Sequence, residues 1–223
     1  MALLPLLKKR LGRSLFLPAH GRGQALPKDF KRLLRQRAGA WDLPELAEIG
    51  GPLERDGAVG ESQRESAAAM GSDHCWYGVN GATGLLQAAL LAIAQPGDAV
   101  LMPRNVHRSL IQACVLGDIK PLLYNVPYQT KQGHSAPPNQ AWIKKVLAEL
   151  PNNQGEIKAA VLVHPTYQGY ANDPTEIIAT LQEQGLSVLV DEAHGCHLAA
   201  GIDPDLPPSS LHCGADLVVH SLH

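Results

Sequence analysis

The chain is predicted to fold as an α/β protein, a mainly parallel sheet with helices on both faces. Three observations predict it. From Glu61 onward, stretches of helical character alternate with short apolar runs, the order expected of α/β units. Those runs are apolar throughout, which marks strands covered on both faces. A chain of 223 residues with 45% apolar and 18% charged side chains can also bury a sizeable core.

The elements follow in order. The first sixty residues are loop-rich, with Pro5, Pro18, Pro27, Pro44 and Pro52, and carry one basic helix near Asp29–Ala38. Glu61–Met70 reads as a helix and Cys75–Val79 as a strand. Gly84–Ala94 is an alanine- and leucine-rich helix ended by the turn signal Gln95-Pro96-Gly97-Asp98. Ala99–Met102 is a strand, Val106–Leu116 a helix and Lys120–Val126 a strand. The Pro/Gly/Asn-rich stretch Pro127–Asn139 reads as a loop. It leads into a helix over Ala141–Leu150 and a strand over Ala159–His164. Pro174–Gln184 is a helix with proline near its first turn, a favoured place for it. Strands over Leu186–Asp191 and Asp216–Ser221 complete the pattern. Because the chain stops on a core-type strand, the domain is expected to be incomplete at its C-terminus. Residues 1–60 form an N-terminal segment and 61–223 part of a large domain.

Composition narrows the function. A net charge of −2 gives no reason to expect nucleic acid or an anionic membrane as partner. Cys75, Cys114, Cys196 and Cys213 are far apart, with no CxxC pair, and read as reduced thiols of a cytoplasmic protein. Met1–Leu7 is apolar but too short for a signal peptide, and its basic residues follow it. No apolar run reaches membrane-spanning length. His194, Cys196, His197, His212 and Cys213 match no common zinc spacing, so no metal is expected.

Four segments fall where strands end. Asn80-Gly81-Ala82-Thr83-Gly84 joins a strand to a helix, and its small residues admit an anion to the helix N-terminus. A tight turn would need the same residues. No Gly-Lys-Ser/Thr follows, so it is not a nucleotide P-loop. Pro103–Ser109 lies at the carboxyl edge of the sheet, where open α/β proteins bind ligands. His107 there can stack on an aromatic cofactor, or sit exposed in a first helical turn capped by Asn105. Val163–Gly169 offers Thr166 and Tyr167 at the same edge, or a plain turn.

Leu189–Gly195 is the most specific. A carboxylate closing a buried strand is costly unless a cation or backbone N–H groups satisfy it. A protonated pyridine nitrogen is such a cation, and His194 is three residues away. Asp-Glu-Ala-His also occurs as a helicase Mg-ATP motif, but that reading needs the phosphate loop that is missing.

Together and in this order, the segments resemble the fold-type-I pyridoxal-phosphate (PLP) enzymes. They are most similar to the bacterial ornithine/lysine/arginine decarboxylase family, in its shorter form without an N-terminal receiver-like domain. Phe16–Gly23 is similar to the family's F-x-P-G-H-x-x-G opening, with Ala19 in place of glycine. Trp41–Leu46 and Ala58–Gln63 match its acidic segment and following helix start less closely. Asn80–Gly84 and Arg104–Ser109 correspond to N-G-[ST]-x-G and R-N-x-H-[KR]-S, with Ala82-Thr83 slightly rearranged, and D-E-A-H-G is intact at Asp191–Gly195.

The resemblance implies a PLP cofactor whose phosphate is met by Ala82, Thr83 and Ser221. It implies that His107 stacks on the pyridine ring, Asp191 pairs with the ring nitrogen, and His194 lies near the cofactor's other polar groups. His223 would immediately precede the Schiff-base lysine. The implied reaction removes the α-carboxylate from arginine, lysine or ornithine, giving a polyamine or its precursor, in a homodimer.

One departure is severe: the last lysine is Lys158, and none follows His223. The 223 residues alone are therefore expected to be inactive, as a fragment, a split gene product or a decayed remnant. Within the same fold, an aminotransferase or a carbon–sulfur lyase is the alternative.

Overall fold

The computed structural model describes residues 23–36, 38–151, 155–201 and 203–222. The apolar start Met1–Leu7, most of the Phe16–Gly23 motif, and His223 lie outside the described residues. The chain divides into one unit ending at Ile49 and another running from Gly50 to Leu222.

In the first unit, α1 spans Lys28–Leu33 and a 3-10 turn spans Ala38–Trp41. The helix is shorter than the predicted Asp29–Ala38. No residue of α1 is buried, so it lacks the tertiary packing that sustains short helices in water.

The second unit contains the predicted sheet. Its elements are α2 (Gly57–Met70), α3 (Gly81–Ile93), β1 (Ala99–Pro103), α4 (Arg108–Gly117), β2 (Lys120–Tyr124), β3 (Tyr128–Gln129) and β4 (His134–Ser135). They continue with α5 (Gln140–Ala148), β5 (Ile157–Val163), α6 (Thr175–Gln182), β6 (Ser187–Glu192), α7 (Cys196–Ala199), a 3-10 turn at Ser210–Cys213 and β7 (Leu217–His220). Five strands pair in the order β2-β1-β5-β6-β7, all parallel. The pairing sets Val163 beside Asp191 and Glu192 beside His220.

Strand side chains alternate between faces, and each face has its own core. Val100, Met102, Val161, Leu189 and Val219 pack with Leu86 and Leu90 of α3 and Leu110 and Ala113 of α4. Leu101, Leu162, Val188 and Val190 pack on the other side with Ile143 of α5 and Ile177, Ile178 and Leu181 of α6. Each fully buried side chain of this size contributes about 1.5–3 kcal/mol.

Helix α7 and the 3-10 turn at Ser210–Cys213 fall where no element was predicted, and two predicted segments differ in kind. Cys75–Val79 is not a strand, since it pairs with nothing described, and Trp76, Tyr77 and Val79 are exposed. A strand is stabilised by its ladder, and an apolar run without a neighbour to bond has none. The segment is tied instead to α2: the Tyr77 hydroxyl donates to the Ser62 carbonyl at 2.9 Å and meets the Ser66 hydroxyl at 2.6 Å. The predicted loop Pro127–Asn139 contains the short antiparallel hairpin β3–β4. Elsewhere the boundaries move by a few residues. Helix α3, predicted from Gly84, starts at Gly81, where φ is +65°; that left-handed backbone is available to glycine without penalty.

Candidate active site at the carboxyl edge of the sheet

Parallel strands bring their ends to one edge, and four connections converge there. These are the β1–α4 turn, the segment after β5, the turn after β6, and Ser221 after β7. Helix α3 leads into β1 from the opposite edge, so its N-terminus, with Ala82 and Thr83, also lies at this edge. Helix α3 packs on β6 and β7, the strands that carry Asp191 and Ser221.

Asp191 is the next-to-last residue of β6. Alternation from Leu189 turns its side chain toward the layer of α3 and α4. It is buried, and Oδ1 accepts from the Ala193 N–H at 3.3 Å. Burial raises its pKa; the Ala193 N–H and the nearby His107 and His194 lower it but do not cancel the burial. A carboxyl held in this way gains from a cation placed beside it. The protonated nitrogen of a pyridine ring supplies that cation, so the site fits PLP.

His107 is the N-cap of α4, the place assigned above to Asn105. Its Nδ1 accepts from the Ser109 N–H at 3.3 Å and meets the Ser109 hydroxyl at 2.8 Å. With Nδ1 as acceptor, the neutral ring carries its proton on Nε2. The imidazole is otherwise exposed at the edge. His194 is also exposed, and Tyr167 meets it edge-on with ring centroids 5.6 Å apart. Thr83 is exposed, Ser221 is half-buried, and Ala82 packs against the α3–α4 core. Asp191, His107 and His194 thus interact electrostatically, while Ala82, Thr83 and Ser221 share only their edge with them.

Glu192 went unnoticed in the sequence. Alternation turns it to the opposite face from Asp191, where it is fully buried. Its Oε1 accepts from the Ser209 hydroxyl at 2.5 Å and pairs with His220 Nε2 at 3.0 Å; its Oε2 accepts from the Ser210 N–H at 2.8 Å. Burial raises its pKa, but the bonds from His220, Ser209 and Ser210 together outweigh burial and lower it. The signal available was the Asp-Glu pair itself, because consecutive acids in a two-faced strand cannot share one partner set. Gly195 completes the cluster. A Cβ there would lie 2.5 Å from Glu192 Cγ and 2.7 Å from Pro165 Cδ, so any other residue would force its neighbours to shift.

Lys158 is the second residue of β5, at the opposite end of the sheet, and pairs with Glu156 at 2.5 Å. Val163, the partner of Asp191, lies five positions further along the strand, or roughly 16 Å away. Among the described residues no group of His, Cys, Asp or Glu could hold a metal ion, and no helix is long and apolar enough to cross a membrane.

A sequence model of the Orn/Lys/Arg decarboxylase major domain matches residues 8–223. The chain belongs to the Orn/Lys/Arg decarboxylase family. It is 32% identical over 207 residues to an arginine decarboxylase of Bacillus anthracis, covering 93% of this chain and 41% of that protein. It is 30% identical over 220 residues to an arginine decarboxylase of Bacillus subtilis, covering 97% and 44%. The chain therefore spans less than half the length of these relatives. Among solved structures, a chain of a SepCysS–SepCysE N-terminal domain complex aligns with a TM-score of 0.64 at 19% identity, covering 88% of this chain and 48% of that one. The fold is that of the fold-type-I PLP enzymes, and the family's cofactor is PLP.

Proposed function

We propose that the protein to which these residues belong decarboxylates a basic amino acid, with arginine the first candidate. The observation that carries this reading is Asp191, a buried carboxyl at the carboxyl edge, raised in pKa and interacting with His107 and His194. The names of the relatives support arginine.

When bound, PLP provides an electron sink for the pair released as the carboxylate departs. Asp191 would pair with the ring nitrogen and keep it protonated by charge pairing. His107, held by Ser109, would stack on the ring, and His194 would meet its polar substituents. Thr83 and the N–H groups of the first turn of α3, with Ala82 and Ser221, would hold the phosphate. In this reading residues 1–60 are an N-terminal segment and 61–223 part of the cofactor domain, in a cytoplasmic homodimer. The unpaired cysteines support that compartment.

The proposal extends to inactivity of these 223 residues alone. Lys158, the last lysine of these residues, lies at the far end of β5, so none of them occupies the place just after His223 that the family resemblance gives to the Schiff-base lysine. Two measurements test the reading. The full-length protein should release labelled carbon dioxide from carboxyl-labelled arginine, and Asp191→Ala should lower kcat at least a hundredfold, about 2.7 kcal/mol or more. Release from none of arginine, lysine and ornithine would refute the activity. For the 223-residue chain, PLP followed by borohydride should label no lysine stoichiometrically, and one fully labelled lysine would refute the inactivity.

A further inference from the structure

A small cavity lies on the face of the sheet opposite Asp191, among the ends of β1, β2 and β5 and the start of α6. Its lining includes Pro103, Asn105, Tyr124, Leu162 and Thr166. Tyr124 closes β2 within the α5–α6 core and is only 7% exposed. Its hydroxyl is buried with no hydrogen-bond partner among the described residues, and so is the Asn105 side-chain oxygen. Three other polar residues of the lining have partners in the protein. Thr166 Oγ1 accepts from the Tyr170 N–H at 3.1 Å, Asn172 Nδ2 donates to the Pro138 carbonyl at 2.8 Å, and His164 Nε2 pairs with the Pro208 carbonyl at 3.2 Å.

Two residues that line the same cavity therefore each carry a buried polar atom without a described partner, one able to donate and one to accept. A buried hydroxyl or amide oxygen without a partner destabilises the fold, and two beside one cavity are rare in a folded protein. The space open to the centre of a water molecule is about 20 Å³. One buried water needs roughly 10–15 Å³ and two to four polar partners, so the cavity has room for one water and not two.

We propose that a single structural water occupies this cavity, accepting from the Tyr124 hydroxyl and donating to Asn105 Oδ1, and so ties β2 to the turn that carries His107. Asn105 precedes the N-cap of α4 by two residues, and the backbone already joins the same pieces: the Arg104 N–H donates to the Tyr124 carbonyl at 2.9 Å. The water adds a side-chain link between the same two segments. The site stands on the opposite face from Asp191 and is independent of the proposed activity.

Tyr124→Phe in the 223-residue chain tests it, because the sign of the effect depends on the water. If the cavity is dry, deleting an unpartnered buried hydroxyl raises Tm. If a water bridges, the deletion strips it of a partner and Tm falls. We expect a fall of a few degrees, with faster amide hydrogen exchange confined to residues 104–109. A rise in Tm, or unchanged exchange there, would overturn the proposal. A high-resolution crystal structure should show a solvent peak within hydrogen-bond distance of both atoms; a map with none there would overturn it independently.

Discussion

Asp191 and Glu192 are neighbours that differ in every physical respect. Asp191 faces the α3–α4 layer, with one long bond from the Ala193 N–H and a pKa raised mainly by burial. Glu192 faces the other layer with bonds from three residues, and its pKa is lowered although burial opposes this. The first is poised to receive a cation, and the second is already satisfied. Glu192→Gln should therefore cost about 1.5–3 kcal/mol, the worth of hydrogen bonds to a buried charge, measured by urea denaturation. A loss below a few tenths of a kcal/mol would show that the network is dispensable. Gly195→Ala belongs to the same cluster. Its Cβ would press on Glu192 Cγ and Pro165 Cδ, and overpacking of this kind typically costs about 1–3 kcal/mol. The same denaturation experiment checks it, and an unchanged midpoint would mean that the cluster yields freely.

At the scale of elements, the helices over the sheet are held by packing more than by their own propensity. Leu90 of α3 is fully buried against Val100, Leu189 and their neighbours. Leu90→Ala should cost about 2–5 kcal/mol. The same substitution at Leu91 of α3, 39% exposed, should cost well under half as much. Equal losses at the two positions would place the helix differently from the structure. The β6–β7 pairing acts at this scale as well. By setting Glu192 beside His220, it fixes where Ser221 leaves the sheet, so the pair that locks Glu192 also aims a residue assigned to the phosphate.

For the whole molecule, the two acids predict opposing pH dependences. The folded-state pKa of Glu192 lies below its ordinary value of 4.5. Its ionised form therefore stabilises the fold above pH 4.5, and that stability is lost as pH falls through the depressed value. The folded-state pKa of Asp191 lies above its ordinary value of 3.8. Its protonated form favours folding below pH 3.8, and that contribution is lost as pH rises through the elevated value. Stability measured against pH should therefore lose its acid limb in Glu192→Gln. In Asp191→Asn it should lose the decline on the alkaline side of pH 3.8. If both curves superimpose on that of the unsubstituted chain, neither carboxyl is perturbed as described.

The alternation of helices with wholly apolar runs such as Leu186–Asp191 determined the parallel α/β fold, since only a strand covered on both faces tolerates that pattern. The ordered motifs determined the family, and two of their residues, His107 and Asp191, fall at the carboxyl edge of the sheet, the edge at which open α/β proteins bind ligands. Pairing and register were decided by tertiary structure alone. The Cys75–Val79 run looks like a strand, but an apolar pattern does not supply the neighbour that makes a ladder. Burial and partner were likewise invisible for Glu192, whose bonds come from Ser209, Ser210 and His220 far along the chain, and for Tyr124 and Asn105, which line one cavity from different segments. Local sequence carries periodicity and turn chemistry; which distant groups face each other is settled when the sheet closes its register.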